Sequence, residues 1–287
     1  MKRVLVIFFF GLYAYESTAQ TWMLSRFENC PNETLYIDDH YYGSDSLDKG
    51  ITRVDYLFSI RVDTVQNTVL EQMSTLEIGY KTSRFCQTAY LYMDSLHKEG
   101  ADVMSLITAR NRIAYPQSVF EMYWQNYPAR GKLTCSGRVF NTDFLYEEDL
   151  PDMKWTITGE IDTMLGYSTQ KAVCRFRGRD YVAWFTPELP VSAGPWKFSG
   201  LPGLILKVGD SRGDYVFTAK GVYSISSAIE MPKYLYIKTT RQKYQQAVKS
   251  NMTDFVQASR LYLKGMEIRV SEPMPKRELE YDFMELE

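Results

Sequence analysis

Apolar and polar residues alternate sharply from residue 54 onward. Val54, Tyr56, Phe58, Ile60 and Val62 share one side of an extended chain; Asp55, Ser59, Arg61 and Asp63 share the other. That period of two predicts a half-buried strand. Leu76, Ile78 and Tyr80 continue the pattern beyond a turn region at Gln66-Asn67. A short helix is expected over residues 88–98, and strands resume from Val119. Leu133, Cys135 and Val139 face one way, opposite Thr134, Ser136 and Arg138; Ala172, Cys174 and Phe176 face opposite Lys171 and Arg175. Arg177-Gly178-Arg179-Asp180 reads as a hairpin turn into Tyr181–Thr186, a strand apolar on both faces and therefore expected at the centre of a sheet. Leu204–Val208 and Tyr215–Lys220 form a further pair around Asp210-Ser211-Arg212-Gly213. Tyr244, Val248, Met252, Phe255 and Val256 recur at helical spacing, so an amphipathic helix is expected over about 240–265, with a polar tail at 266–287. The implied fold is mainly β: a strongly twisted antiparallel sheet or incomplete barrel, with a C-terminal helix packed on it.

The first residues differ in kind. Lys2 and Arg3 precede an apolar run from Val4 to Tyr15, and Ser17-Thr18-Ala19 supplies small residues before Gln20. This is the pattern of a secretory signal peptide at 1–19, cleaved after Ala19. The run is shorter than the roughly 20 apolar residues a membrane span requires, and no later stretch is apolar enough to be one. A periplasmic or secreted location is expected.

Composition then removes several classes of function. The formal net charge is −2, which leaves no electrostatic footprint for nucleic acid. Twenty-two tyrosines in a chain that is 15% aromatic suit amphipathic strands. The four cysteines, Cys30, Cys86, Cys135 and Cys174, include no CxxC spacing, so redox and zinc-knuckle chemistry fail on spacing. An even count in an oxidising compartment allows three pairings. Cys135 with Cys174 is the first choice, because both lie on apolar strand faces. No cofactor is implied. The two histidines, His40 and His97, lie in separate segments, and Asp38-Asp39-His40 alone is a poor metal site. Ser199 lacks a G-x-S-x-G elbow, with no histidine in its half of the chain. Glu147, Glu148, Asp149 and Glu160 would serve a hydrolase only if two faced each other across a cleft.

The most unusual segment is Gly194-Pro195-Trp196-Lys197-Phe198-Ser199-Gly200-Leu201-Pro202-Gly203-Leu204-Ile205. Pro202 and Gly203 fit the two central places of a type II turn, with positive φ at Gly203. Trp196 in this loop is expected to be at least partly exposed. Trp196, Lys197, Phe198, Arg177, Arg179 and Trp155 are the candidates to line a groove for a peptide, sugar or apolar ligand, weighed against core packing of the tryptophans and ordinary solvation of the cations.

This segment resembles the GLPGLI family of exported Bacteroidetes proteins, whose name matches Gly200–Ile205. The likeness extends to Tyr146-Glu147-Glu148, Trp155, Gly166-Tyr167, Gln170-Lys171-Ala172, Phe176-Arg177-Gly178-Arg179 and Ala183-Trp184-Phe185-Thr186-Pro187-Glu188, and spans roughly residues 50–265. Thr169 departs from it, standing where many members carry Cys. The resemblance implies a single β-rich domain over 20–287 that works in the cell envelope, often beside an outer-membrane TonB-dependent transporter. The resulting expectation is an exported, non-catalytic accessory or binding protein. Its partner would be such a transporter or another envelope protein, or its ligand a peptide. The alternatives are a carrier of an apolar ligand within the curved sheet and a carboxylate-dependent hydrolase.

Overall fold

The computed structural model describes residues 41–63, 68–102, 105, 121–139, 142–253 and 284–285. The expected signal peptide, the Asp38-Asp39-His40 group, Cys30, the Gln66-Asn67 turn and the helical positions Phe255 and Val256 lie outside the described residues.

In chain order the elements are β1 (Ser44–Asp63), β2 (Thr68–Gly79), β3 (Ser83–Gln87), α1 (Thr88–Lys98), β4 (Glu121–Gln125), β5 (Lys132–Val139), β6 (Thr142–Asp149), β7 (Thr156–Met164), β8 (Tyr167–Phe176), β9 (Arg179–Thr186), β10 (Leu204–Asp210), β11 (Tyr215–Ser224), β12 (Ala228–Pro232), β13 (Tyr236–Lys238) and α2 (Arg241–Thr253). The strands form one sheet in the order β13-β6-β5-β4-β3-β2-β1-β11-β10-β9-β8-β7, with β12 paired to the first part of β1. All pairings are antiparallel except β13 with β6. The order is open at β13 and β7, so no barrel closes.

The sheet is nevertheless strongly curled. Arg177, in the β8–β9 turn, bonds Glu148 of β6 at 2.6 Å. In the sheet order β9 and β8 are eight and nine steps from β6, or about 40 Å if it lay flat. The two arms therefore bend toward each other, and the inner face becomes a trough. Val54, Tyr56, Phe58 and Ile60 of β1 all point into it and are buried, as the alternation predicts. Leu76 and Ile78 follow the same rule. Tyr80 does not: it lies past the end of β2 in the turn to β3 and is exposed.

What fills the trough is the segment between β9 and β10. Trp196, Phe198, Leu201 and Leu204 are buried in the main core with Tyr181, Phe217 and Tyr56. The Tyr56 hydroxyl donates to the Ile205 carbonyl at 2.6 Å, which ties the end of the segment to the middle of the sheet. Helix α2 covers the β5–β6 end. Tyr244 packs on Phe144 and Tyr146, with ring centroids 5.9 and 5.5 Å away. Gly137 makes this possible, because a Cβ there would stand 2.0 Å from the Tyr244 hydroxyl. On the outer face, α1 and β12 cover β3 and β4. Buried Arg84 holds them there, bonding Glu77 at 2.7 Å, Asp94 of α1 at 2.9 Å and the Glu230 carbonyl of β12 at 3.2 Å. Thr134 and Ser136, expected on the polar face of β5, are buried, and the Thr134 hydroxyl donates to the Tyr127 carbonyl at 2.8 Å.

Three expectations are corrected. Strand β9 is third from the β7 edge rather than central, and Val182 and Trp184 on its outer face are only half-buried. Cys135 and Cys174 are free, buried thiols, as is Cys86. Cys135 and Cys174 lie on β5 and β8, on opposite arms of the sheet, so sharing an apolar face does not bring them together. Gly203 is not at positive φ; within this segment that conformation belongs to Gly200 (φ 94°) and Trp196 (φ 54°). Gly203 is required for space instead. A Cβ on it would come within 2.1 Å of the Thr186 carbonyl oxygen.

Candidate functional site

Lys197 is 1% exposed, deep in the trough. A buried ammonium is tolerated only where carboxylates and further hydrogen bonds replace its water. Its Nζ donates to Glu148 Oε1 at 2.9 Å, Glu285 Oε1 at 2.6 Å and the Tyr146 hydroxyl at 3.2 Å. The rings of Tyr123, Tyr146 and Trp196 stand 5.7, 5.6 and 5.4 Å from it, within cation–π range. The backbone of this lysine is positioned by its neighbour. Trp196 adopts the left-handed conformation, unusual for a bulky residue, and is held there by three contacts. Its indole N–H donates to the Tyr123 hydroxyl at 3.0 Å, its carbonyl accepts from Gln125 at 3.3 Å, and its ring meets Phe176 edge-on.

Two arginines complete the cluster. Arg177 bonds Glu148 and Glu285 and lies over the Phe176 ring. It occupies the first place of the two-residue β8–β9 turn at φ 44°, followed by Gly178 at φ 81°. Such turns favour Asn, Asp or Gly in that place, so the strain is borne by a residue whose guanidinium reaches the interior. Arg241, at the start of α2, bonds Glu285 Oε2 at 2.8 Å and lies 3.6 Å from Glu148 Oε2. Gln245, one turn along, donates to the same Glu285 oxygen. Burial pushes the Glu285 carboxyl up, but Lys197, Arg177 and Arg241 outweigh it and hold the group below its ordinary value.

A third carboxyl behaves oppositely. Glu121, at the start of β4, is pushed up to about 8, because burial outweighs the attraction of Lys197 and Glu285 and Glu148 repel its charge. Tyr244 faces it from α2. Burial likewise raises the Cys135 thiol and the Tyr146 hydroxyl. The cluster thus gathers Lys197, Arg177 and Arg241 around Glu148 and Glu285, beside the Glu121 carboxyl, which stays largely protonated at neutral pH. No group of three or more His, Cys, Asp or Glu placed to hold a metal occurs among the described residues.

The site residues expected from sequence divide in two. Trp196, Lys197, Phe198 and Arg177 meet around the cluster, although Trp196 is 4% exposed and the expectation of a partly exposed tryptophan is overturned. The loop turns its aromatic residues inward because the curled sheet offers an apolar trough and water does not. Trp155 braces the loop from outside, donating to the Ser199 carbonyl at 2.8 Å and tilting against Phe198. Arg179 takes a different direction. It bonds Asp210 at 2.9 Å, lies 3.6 Å from Asp214 and packs over Tyr215, fastening the β10–β11 turn. Pro202 is exposed beside buried Leu201 and Gly203. Glu121, Arg241 and Glu285 carry no signal in the sequence, and Glu148 stands out there only as one of four carboxylates a hydrolase could use.

A curled, open sheet wrapped around its own loop defines the class: a β-rich protein with an ionic cluster buried at one side of an apolar core. Residues 177–207 match the family described as "Protein of unknown function (Porph_ging)". That span runs from the Arg177 turn through Lys197 to β10. No curated protein matches the chain. Two solved crystal forms of PNGF-II are similar at 15% and 16% identity, each with a TM-score of 0.47 over 69% of this chain. The chain spans about a third of the length of those structures, 33% and 32%. No described helix is long and apolar enough to cross a membrane.

Proposed function

We propose that this chain is an exported, non-catalytic binding protein of the cell envelope, of GLPGLI type, which takes an acidic group of its ligand or partner into the Lys197 interior. The observation that carries this reading is the convergence of Lys197, Arg177 and Arg241 on a single carboxylate, that of Glu285. Three cations on one carboxylate, backed by aromatic rings, suit recognition of an anion. Glu148 and Glu285 are both neutralised by cations, an arrangement better suited to binding than to acid–base work. An apolar carrier needs a void, and the trough is occupied by Trp196, Phe198 and Leu201. The leader pattern and the family resemblance support a periplasmic or secreted location, with an outer-membrane transporter or another envelope protein as partner.

Cell fractionation with N-terminal sequencing, followed by crosslinked capture from the envelope, tests this. The exported form should begin at Gln20. The wild type should enrich a peptide or protein at least tenfold over a folded Arg177→Ala chain. Retention of residues 1–19 in the cytoplasm, or equal recovery by both chains, would overturn the reading.

A further inference from the structure

The carboxylate in the site comes from the chain itself, 88 positions after Lys197. It is delivered as part of a two-residue unit with three points of contact. The Glu285 carboxylate accepts from Lys197, Arg177, Arg241 and Gln245. The Met284 carbonyl accepts the Tyr181 hydroxyl at 2.8 Å. The Met284 side chain packs against the main core. The donors belong to the β9–β10 loop, the β8–β9 turn, β9 and α2, so four separate parts of the fold are shaped around this unit. A bare anion would use only the first contact. The backbone bond and the apolar niche read a peptide.

Charge makes occupancy obligatory. Without Glu285, Lys197, Arg177 and Arg241 would face Glu148 alone among the rings of Tyr123, Tyr146 and Trp196. An uncompensated charge in that setting is strongly unfavourable, so the site stays filled or exchanges one acidic occupant for another. A tethered occupant competes at a raised effective concentration, and an external segment must exceed that advantage.

Resting on the function proposed above, we infer that the Lys197–Arg177–Arg241 site is a receptor for a peptide segment in which an apolar residue precedes an acidic one, and that Met284–Glu285 occupies it as an intramolecular ligand displaced by such a segment of a partner protein. The unit in place shows the recognised chemistry: one carboxylate, one backbone carbonyl and one unbranched apolar side chain.

Isothermal titration of the full chain with an acetylated peptide of residues 280–287 tests this. The Glu285→Ala chain should bind the peptide at least tenfold more tightly than the wild type, whose site is filled. The same peptide carrying Glu285→Gln should bind at least tenfold more weakly. N-acetylglutamate α-amide, which offers the side-chain carboxylate and a preceding carbonyl without the apolar side chain, should also be at least tenfold weaker than the peptide; equal affinity would overturn the peptide assignment. A folded Glu285→Ala chain that binds no peptide would overturn the proposal. Should that variant fail to fold, Glu285→Gln, which keeps the shape and two polar atoms, takes its place. Failure of both to fold would mean that the segment is inseparable from the core, and would also overturn the proposal. Envelope capture that depends on Arg177, without peptide binding by the Glu285→Ala chain, would discard the displacement and keep the function.

Discussion

The indole N–H of Trp196 donates to the hydroxyl of Tyr123 at 3.0 Å, and the two rings meet edge-on with centroids 6.4 Å apart. This contact links the β9–β10 loop to β4, a strand on the opposite arm of the sheet. It fixes the loop inside the trough and sets the backbone that aims Lys197.

Trp196 is therefore a core residue, and truncation should act on stability first. Trp196→Ala is expected to cost about 3–5 kcal/mol in urea unfolding, the range for removing a large buried aromatic side chain. Tyr123→Phe leaves the indole N–H without its partner and should cost about 1–3 kcal/mol. Because both changes break one bond, Trp196→Phe with Tyr123→Phe should cost less than the sum of the single changes. Strict additivity would show that the bond contributes nothing.

Gly200 and Gly203 meet different demands three residues apart. Gly200 lies at φ 94° with its nearest neighbour 3.6 Å from an added Cβ, so Gly200→Ala suffers backbone strain of roughly 1–2 kcal/mol. Gly203→Ala would drive a methyl against the Thr186 carbonyl and the Pro187 nitrogen, both main-chain atoms at the end of β9. Overpacking of this kind costs about 1–3 kcal/mol, or more where backbone must move. The expected order in denaturant midpoint is wild type, Gly200→Ala, then Gly203→Ala. The reverse order would return the turn to the type II geometry the Pro-Gly pair suggests.

Local features were readable from sequence, as were four residues of the site, but the partners of those four were not. The alternation in β1, the hairpin near Arg177–Asp180 and the helix at 88–98 rest on contacts between near neighbours; the structure places the first and last where the pattern does and tightens the hairpin to a two-residue turn, with β9 starting at Arg179. Glu121, Glu148, Arg241 and Glu285 each look like an ordinary surface charge in their own segments. Only the curling of the sheet brings them together, and period-two alternation carries no information about curvature. Two signals pointed inward. Lys197 stands between two large aromatic residues in a loop otherwise nearly free of charge. Arg177 occupies a turn position that favours Asn, Asp or Gly. Gly203 was identified as indispensable for the wrong reason, since a clash with a neighbouring strand end is invisible until that strand is placed.

The cysteines give a chemical prediction. Burial pushes the Cys86 and Cys174 thiols up to about 12 and raises that of Cys135 well above its ordinary value. The thiolate is the reactive form, so all three should resist alkylation at pH 7.5 in the folded chain. After unfolding without reductant, Cys86, Cys135 and Cys174 should each carry the label in peptide mass mapping. Recovery of a Cys135–Cys174 linked peptide would contradict the placement of these residues on opposite arms of the sheet.

The carboxyls of Glu121 and Glu285 should give pH dependences of opposite sign. Glu121 is pushed up to about 8 from an ordinary 4.5, among Lys197, Glu285, Glu148 and Tyr244. An acid raised in the folded state holds its proton more tightly there than in the unfolded chain, so stability falls as pH climbs from about 4.5 to about 8. Glu121→Gln removes that loss. Its advantage over the wild type should be near zero below pH 4.5 and reach on the order of 1–3 kcal/mol above pH 8, after allowance for screening. Glu285 is held below its ordinary value by Lys197, Arg177 and Arg241 despite burial. Its contribution is present above the unfolded value of 4.5 and is lost as pH falls through the lower folded value. Glu285→Gln should therefore be destabilising at pH 7 and approach the wild type in acid. Urea unfolding followed by tryptophan fluorescence between pH 3.5 and 9 measures both differences. Parallel curves for the two variants would mean that these carboxyls do not share the charged interior described for them.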